Sequence, residues 1–422
     1  MGQVRRVRVT PRGLALGAIG LGVTTSGVLL GVQVLTQAGL LLLSVLGYGL
    51  AVLAAAARAA DRGGLHLVRR VVPHPVTVGD AAVVEVDVTS SGGARRLDRL
   101  EIAEQAAREL SGGGGLRARV HRTRGSLRLT YAIAPSHRGR WAVGPLQVQR
   151  VDLFGVARWS GPLGEPMRVA VRPRVVRLDM DTRTASTDVD RAAVGTRMPA
   201  ADDASLRDYR AGDDLRRVHW RTSARRAELM VRQDERAARR PVSVLLDIPE
   251  DDPTAEWSIS AAASVALALM RSGHRVRLLG GGLLESAVEH HRPDVDGTAG
   301  DALLDQTVDL VLPPNRMTRD TWLATAVDTL GRQGGGAELV VAVVGELDPD
   351  ALASLARVGD AHQGWALVRL GRVGQPAGDE GEHTLRSLRR AGWRTVGVHP
   401  GEDLAQAWER LLGTEERAVS LR

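Results

Sequence analysis

The sequence has no cysteine and no lysine, so all 56 of its basic residues are arginine. The first absence excludes disulfides, thiolate metal sites and a cysteine nucleophile. The second removes the P-loop lysine, the Schiff-base lysine and the kinase-type phosphate lysine together. Aromatic residues are scarce as well: one phenylalanine, three tyrosines and eight tryptophans in 422 residues. That is poor material for the stacking platforms that bind single-stranded nucleic acid. Net charge is only +7. A balance of that size suits a surface facing anionic lipid and does not by itself indicate nucleic acid. The length leaves room for two or three domains with a sizeable core. A hydrophobic content of 44% beside a charged content of 25% is ordinary for a folded protein.

Charge is also absent from one long stretch. Residues 13–57 carry none, an interval of 45 positions between Arg12 and Arg58. A spanning helix needs roughly 20 apolar residues, and Gln33, Thr36 and Gln37 break the stretch in its middle. Two transmembrane helices are expected, Gly13–Val32 and Ala38–Ala57, joined by a short turn. Arg5, Arg6, Arg8 and Arg12 precede the first, and Arg58, Arg62, Arg69 and Arg70 follow the second. Arginine on both flanks and none in the turn places both ends, and the chain beyond, in the cytoplasm. A signal peptide with an arginine-rich start is the competing reading. The immediate second span favours a hairpin anchor in the lipid bilayer.

From residue 65 to 176 the pattern becomes period two. Val84, Val86 and Val88 alternate with Glu85 and Asp87; Leu127, Leu129, Tyr131 and Ile133 alternate with small or polar residues. Short alternating runs bounded by Gly, Pro and Ser predict antiparallel strands and a β-sandwich-like domain. A linker follows over 177–240. From Pro241 on, apolar strands alternate with amphipathic helices. Val242–Leu246 is a continuous apolar run ending at Asp247, Asp252-Pro253 opens a helix, and His274–Leu279 is a second strand. Further strands are expected at Glu338–Val344, Trp365–Leu370 and Thr395–Val398. Helices are expected at Thr321–Leu330, Asp350–Val358, Ser387–Ala391 and Leu404–Leu412. Such alternation builds βαβ units and a mostly parallel sheet over 241–422.

The linker contains the most distinctive run, residues 205–226, with seven arginines, three aspartates, a histidine, a tyrosine and a tryptophan. Ser205, Arg207, Tyr209, Gly212, Asp213, Arg216, Val218, His219, Trp220, Ser223, Ala224 and Arg225 fall on a fixed pattern. On those residues the chain resembles domain-of-unknown-function family 58. Arg138-Gly139-Arg140-Trp141 with Gly144-Pro145 resembles a second family segment. Asp152-Leu153-Phe154-Gly155-Val156 resembles a third, with Leu153 in place of a proline. Phe154, the only phenylalanine, is expected to be a buried anchor at a strand corner.

The resemblance implies that 241–422 is a von Willebrand factor A-like domain. The metal form of that domain carries Asp-x-Ser-x-Ser after its first strand, a hard oxygen set for Mg²⁺. Here Asp247 stands alone, followed by Ile248-Pro249-Glu250-Asp251. It is the remaining candidate for a Mg²⁺ ligand, and no other cofactor is expected. For the arginine run three readings stay open. It is an arginine–carboxylate network tying the linker to the sheet, a docking surface for a protein, or a phosphate or nucleic-acid contact. His219 has no nucleophile–carboxylate arrangement beside it in sequence, and Ser223 four residues on does not supply one. The resemblance implies a membrane-anchored, non-enzymatic scaffold or adaptor. Its implied partners are a MoxR-type AAA+ ATPase and a transglutaminase-like membrane protein, with complex assembly or envelope stress response as the setting. Docking would then use Arg207, Tyr209, Gly212, Asp213, Arg216, His219, Trp220, Ser223 and Arg225. The alternatives are a Mg²⁺-dependent binding module, then a membrane-tethered nucleic-acid binder or a hydrolase.

Overall fold

A computed structural model describes residues 6–59, 65–90, 97, 100–112, 116–123, 125–180, 206–208, 223, 230–232, 241–283, 294, 296–333, 338–374 and 381–419. The chain forms two compact units, Met1–Arg172 and Pro173–Arg422.

The first unit opens with β1 (Arg6–Val9) and a helical hairpin, α1 (Pro11–Leu29) and α2 (Gln33–Ala59). Thr10 caps α1, its hydroxyl accepting from the Gly13 amide at 3.1 Å, and Pro11 supplies the fixed first helical φ. Gly13, Gly20 and Gly27 are the buried residues of α1, one every seven positions. A Cβ on Gly20 would press on Leu42 and Leu43 of α2, so small residues set the close approach of the two helices. Their outer faces are apolar and bare: Leu14, Ile19, Leu21, Val28, Val34 and Leu41 are all exposed. Both helices are long and apolar enough to cross a membrane. The helix continues through all of the second expected span, Ala38–Ala57. The lower end of α2 enters the protein, and Leu53 and Ala57 are buried in the core of the β domain.

That domain comprises β2 (Leu65–Val72), β3 (Val76–Thr77), β4 (Ala82–Ser90), β5 (Leu100–Ala106), β6 (Ala118–Arg122), β7 (Ser126–Ile133), β8 (Gly139–Val151), β9 (Ala157–Leu163) and β10 (Met167–Arg172). One sheet runs β1-β9-β8-β10-β3, with β5 also paired to β8; the other runs β2-β4-β7-β6. Pairing is antiparallel except β10 with β3. The period-two residues Val84, Val86, Val88, Leu127, Leu129 and Tyr131 of one sheet share an apolar cluster with Val143, Leu146, Val148, Trp159, Val169 and Val171 of the other. Alternation in sequence therefore becomes an inner and an outer face. Phe154 is corrected by the same geometry. It is 52% exposed, and Trp159 on β9 is the buried aromatic of this corner.

The second unit contains a short ladder of β11 (Leu206–Asp208) and β12 (Met230–Arg232). Its main body is β13 (Pro241–Leu246), α3 (Asp252–Arg271), β14 (Arg275–Gly280), α4 (Thr298–Val308), α5 (Arg316–Gln333), β15 (Leu339–Val344), α6 (Pro349–Ala361), β16 (Gln363–Arg369), α7 (Glu382–Arg390), β17 (Arg394–Val398) and α8 (Leu404–Val419). The five strands are parallel in the order β14-β13-β15-β16-β17. Both faces are covered. Ile259, Leu269, Trp408 and Leu411 pack on one, and Leu323, Leu330, Leu355 and Leu388 on the other. Burial on both faces explains why β13 and β15 read as mostly apolar runs and do not alternate. Leu178 lies in the first of these cores, so the residues just after Arg172 belong with this unit.

Candidate functional site

In an open parallel sheet the ligand position is the crevice at the carboxyl ends of the strands, where strand order reverses. Here the reversal lies between β13 and β15, and Asp247 is the residue that follows β13 at that point. Its amide donates to Val343 O at 3.0 Å, which holds it against the neighbouring strand. Its side chain is wholly buried.

Three groups converge on that carboxylate. Arg319, near the start of α5, binds it in bidentate fashion, Nε to Oδ1 and Nη2 to Oδ2, both at 2.7 Å. Arg369, the last residue of β16, donates Nη2 to Oδ2 at 3.2 Å. The Gly345 amide donates to Oδ2 at 3.2 Å. Each arginine is also tied elsewhere. Arg319 Nη2 donates to Glu346 O at 2.8 Å, and Arg369 Nη1 donates to the Ser258 hydroxyl at 2.5 Å. Gly345 is needed for this packing, because a Cβ there would overlap the Arg369 guanidinium.

Burial opposes ionisation of Asp247. The Arg319 hydrogen bonds and charge, then the Arg369 charge and the Gly345 N–H, outweigh it and hold the carboxyl below its usual range. Burial also works against the charge on Arg319, but Asp247 overrides it and raises the guanidinium pKa. Arg369 goes the other way: complete burial, with Arg319 as a like-charged neighbour, lowers it against the pull of Asp247. The cluster has two cations for one anion. Glu250 and Asp320 add negative charge on the Arg319 side, and Asp251 on the Arg369 side.

Chemically, this arrangement is a closed one. Mg²⁺ needs free carboxylate or hydroxyl oxygens, and both Asp247 oxygens are engaged by guanidinium groups. Oδ1 accepts from Arg319 and Oδ2 from Arg319, Arg369 and Gly345. Among the described residues no three His, Cys, Asp or Glu side chains gather as a metal site. Asp251, the other acidic neighbour, caps α3 by accepting from the Thr254 amide at 3.3 Å. In this structure Asp247 is the anchor of a buried ion cluster.

A second buried cluster lies nearer the amino ends of the strands. Arg277 on β14 donates to the Ser243 hydroxyl on β13 at 2.5 Å and to both Glu338 oxygens at 3.2 and 3.3 Å; Ser243 and Glu338 are also hydrogen bonded. Arg277, Arg319 and Arg369 were not singled out from the sequence. The signal was present: Arg277 and Arg369 interrupt apolar strands, where a charge needs a buried partner.

Of the arginine-run residues, Arg207 lies on β11 opposite Val231 on β12, and Ser223 is buried. Tyr209, Gly212, Asp213, Arg216, His219, Trp220 and Arg225 lie outside the described residues. The strands that flank residues 209–229 in sequence are paired with each other.

No curated protein matches this chain. Two solved structures align over most of it at low similarity. One is a variant of the PilB minor pilin from Streptococcus sanguinis, at 7% identity over 84% of this chain and 78% of that one, with a TM-score of 0.29. The other is enterochelin esterase from Shigella flexneri, at 12% identity over 85% and 88%, with a TM-score of 0.20. Neither likeness bears on fold or activity. Residues 205–373, from the arginine run to just past β16, match the family described as a protein of unknown function, DUF58.

Proposed function

We propose that this chain is a membrane-anchored, non-enzymatic scaffold whose soluble part docks partner proteins on the cytoplasmic side. The observation that carries the reading is the closed carboxylate. At the switch point of the sheet, where ligands of such folds bind, the Asp247 oxygens are taken up by Arg319, Arg369 and the Gly345 amide. With that carboxylate taken up inside the protein, the reading is that the unit acts through its surface. In this reading the α/β unit is von Willebrand factor A-like, with a guanidinium in place of the cation, and the β unit is sandwich-like. The exposed apolar girdle of α1 and α2 supports the anchor. Flanking arginines support the cytoplasmic side.

The partner follows from the resemblance: a MoxR-type AAA+ ATPase, with a transglutaminase-like membrane protein in the same assembly. The arginine run is the proposed docking face, since Arg, Tyr and Trp are the residue types enriched at binding hot spots. Native membranes solubilised around the tagged full chain should yield a AAA+ ATPase. Changing Arg216, His219 and Trp220 to Ala should remove it while the anchor stays in the membrane. Recovery of no ATPase from the unaltered chain would refute the partner.

A further inference from the structure

The turn Asp152–Val156 holds the only phenylalanine of the chain out of the core: Leu153 is 64% exposed and Phe154 52%. Slack backbone is not the reason. Asp152 Oδ2 accepts from the Phe154 amide at 2.9 Å and Oδ1 from the Ala157 amide at 2.7 Å, which fixes the turn from within.

The turn is also fixed to the foot of the helical hairpin. The Thr10 amide donates to Val156 O at 2.9 Å and the Thr10 hydroxyl to Gly155 O at 2.6 Å, and α1 begins at the next residue. On the other side Gly49 of α2 packs so closely that a Cβ there would stand 2.8 Å from a Val156 methyl. Above this level α1 has 19 residues, a rise of about 28 Å, close to the hydrocarbon thickness of a bilayer. Below it, Leu53 and Ala57 are inside the protein. Leu153 and Phe154 therefore stand where the lipid surface falls if the hairpin spans.

Cations surround the same place. The exposed Arg12 side chain lies along Gly155, with Nη1 3.7 Å from where a Cβ would stand. Two rungs from the turn, Arg8 on β1 and Arg158 on β9 face each other directly, both exposed. Like charges opposed in an antiparallel pair repel, and among the described residues neither has an acidic or hydrogen-bonding side-chain partner. An anion between or above them removes that repulsion.

We infer that Leu153 and Phe154 insert into the interface of an anionic bilayer while Arg8, Arg12 and Arg158 take its headgroup phosphates. Apolar side chains beside arginines are the composition that interfacial anchoring uses. The inference rests on the spanning hairpin, and the test separates the two. Because the chain has no cysteine, single cysteines at Leu153→Cys and Leu41→Cys can carry an environment-sensitive fluorophore. The full chain is placed in nanodiscs of phosphatidylcholine, with or without phosphatidylglycerol, and quenched by lipids spin-labelled at shallow or deep positions. The Leu41 label should be quenched most by the deep label. The Leu153 label should be quenched several-fold more by the shallow one, with a gain on phosphatidylglycerol that Arg12→Gln with Arg158→Gln removes. If the Leu41 label is in lipid but the Leu153 label meets aqueous iodide as freely as fluorophore-labelled cysteine in buffer, the wedge is overturned and the anchor stands. Equal quenching in both lipids overturns the arginine contribution. A Leu41 label open to iodide overturns the spanning hairpin and the inference together.

Discussion

Replacing Asp247 with asparagine tests the closed carboxylate most directly. The change keeps the shape of the side chain and removes the one anion in direct contact with both arginines. Breaking a buried pair by removing one partner costs about 3–5 kcal/mol, because the other charge stays buried and uncompensated. Here the two guanidinium groups are 10% and 4% exposed, so water does little to compensate either. Against a typical stability of about 5–15 kcal/mol, the α/β unit would become marginal. With two units in one chain a single unfolding midpoint is ill defined. The assay is amide hydrogen exchange of the full chain, read on peptides from β13 and β15. A loss of that size opens these strands between about a hundredfold and a few thousandfold more often. The exposed pair Arg332–Asp328, at 2.7 Å with both side chains more than 60% exposed, is the control. Asp328→Asn should cost at most about 0.5 kcal/mol. Replacing both partners, Asp247→Leu with Arg319→Met, should cost less than the sum of the single changes. The pH dependence has a defined sign. The folded pKa of Asp247 lies below the unfolded value of about 3.9. Its stabilisation is therefore present above that value and is lost as pH falls below it through the lower, folded pKa. Asp247→Asn should lack that acid-dependent component. A loss under about 1 kcal/mol, or an unchanged acid limb, would sink the reasoning.

Two further predictions concern the same chain. Millimolar Mg²⁺ should leave its thermal unfolding unchanged, since the Asp247 oxygens already accept from two arginines; a Mg²⁺-dependent rise that disappears in Asp247→Ala would restore a cation site. Gly144→Ala should destabilise the β domain. Its φ of +92° costs a side chain about 1–3 kcal/mol, and the new Cβ would overlap the Arg69 guanidinium, which is held by Glu104 at 2.6 Å and Glu165 O at 3.1 Å. Unchanged exchange protection in β8 would contradict this.

Much of the architecture was legible because it depends on local period. Val84, Val86 and Val88 alternate because one face of β4 is buried, and Val242–Leu246 does not alternate because β13 is covered on both faces. The uncharged interval 13–57 marked the hairpin because helices long and apolar enough to cross a membrane carry almost no charge. Periodicity could not single out the foot of α2, since an apolar residue that enters a protein core reads the same as one that enters lipid. Leu53 and Ala57 are of that kind. It misplaced Phe154, because an aromatic at a strand corner has the same local sequence whether its ring turns inward or outward.

Composition and pattern by themselves determined that this protein has two apolar helices, an alternating β region and an α/β region built on a parallel sheet. Tertiary structure alone decided the fate of Asp247. Its partners stand 72 and 122 residues away, on α5 and at the end of β16. With 56 arginines in the chain, no spacing rule selects Arg319 and Arg369. The choice follows from strand order, which brings the carboxyl ends of β13, β15 and β16 side by side and makes a buried carboxylate there ionise only against the guanidinium groups that reach it.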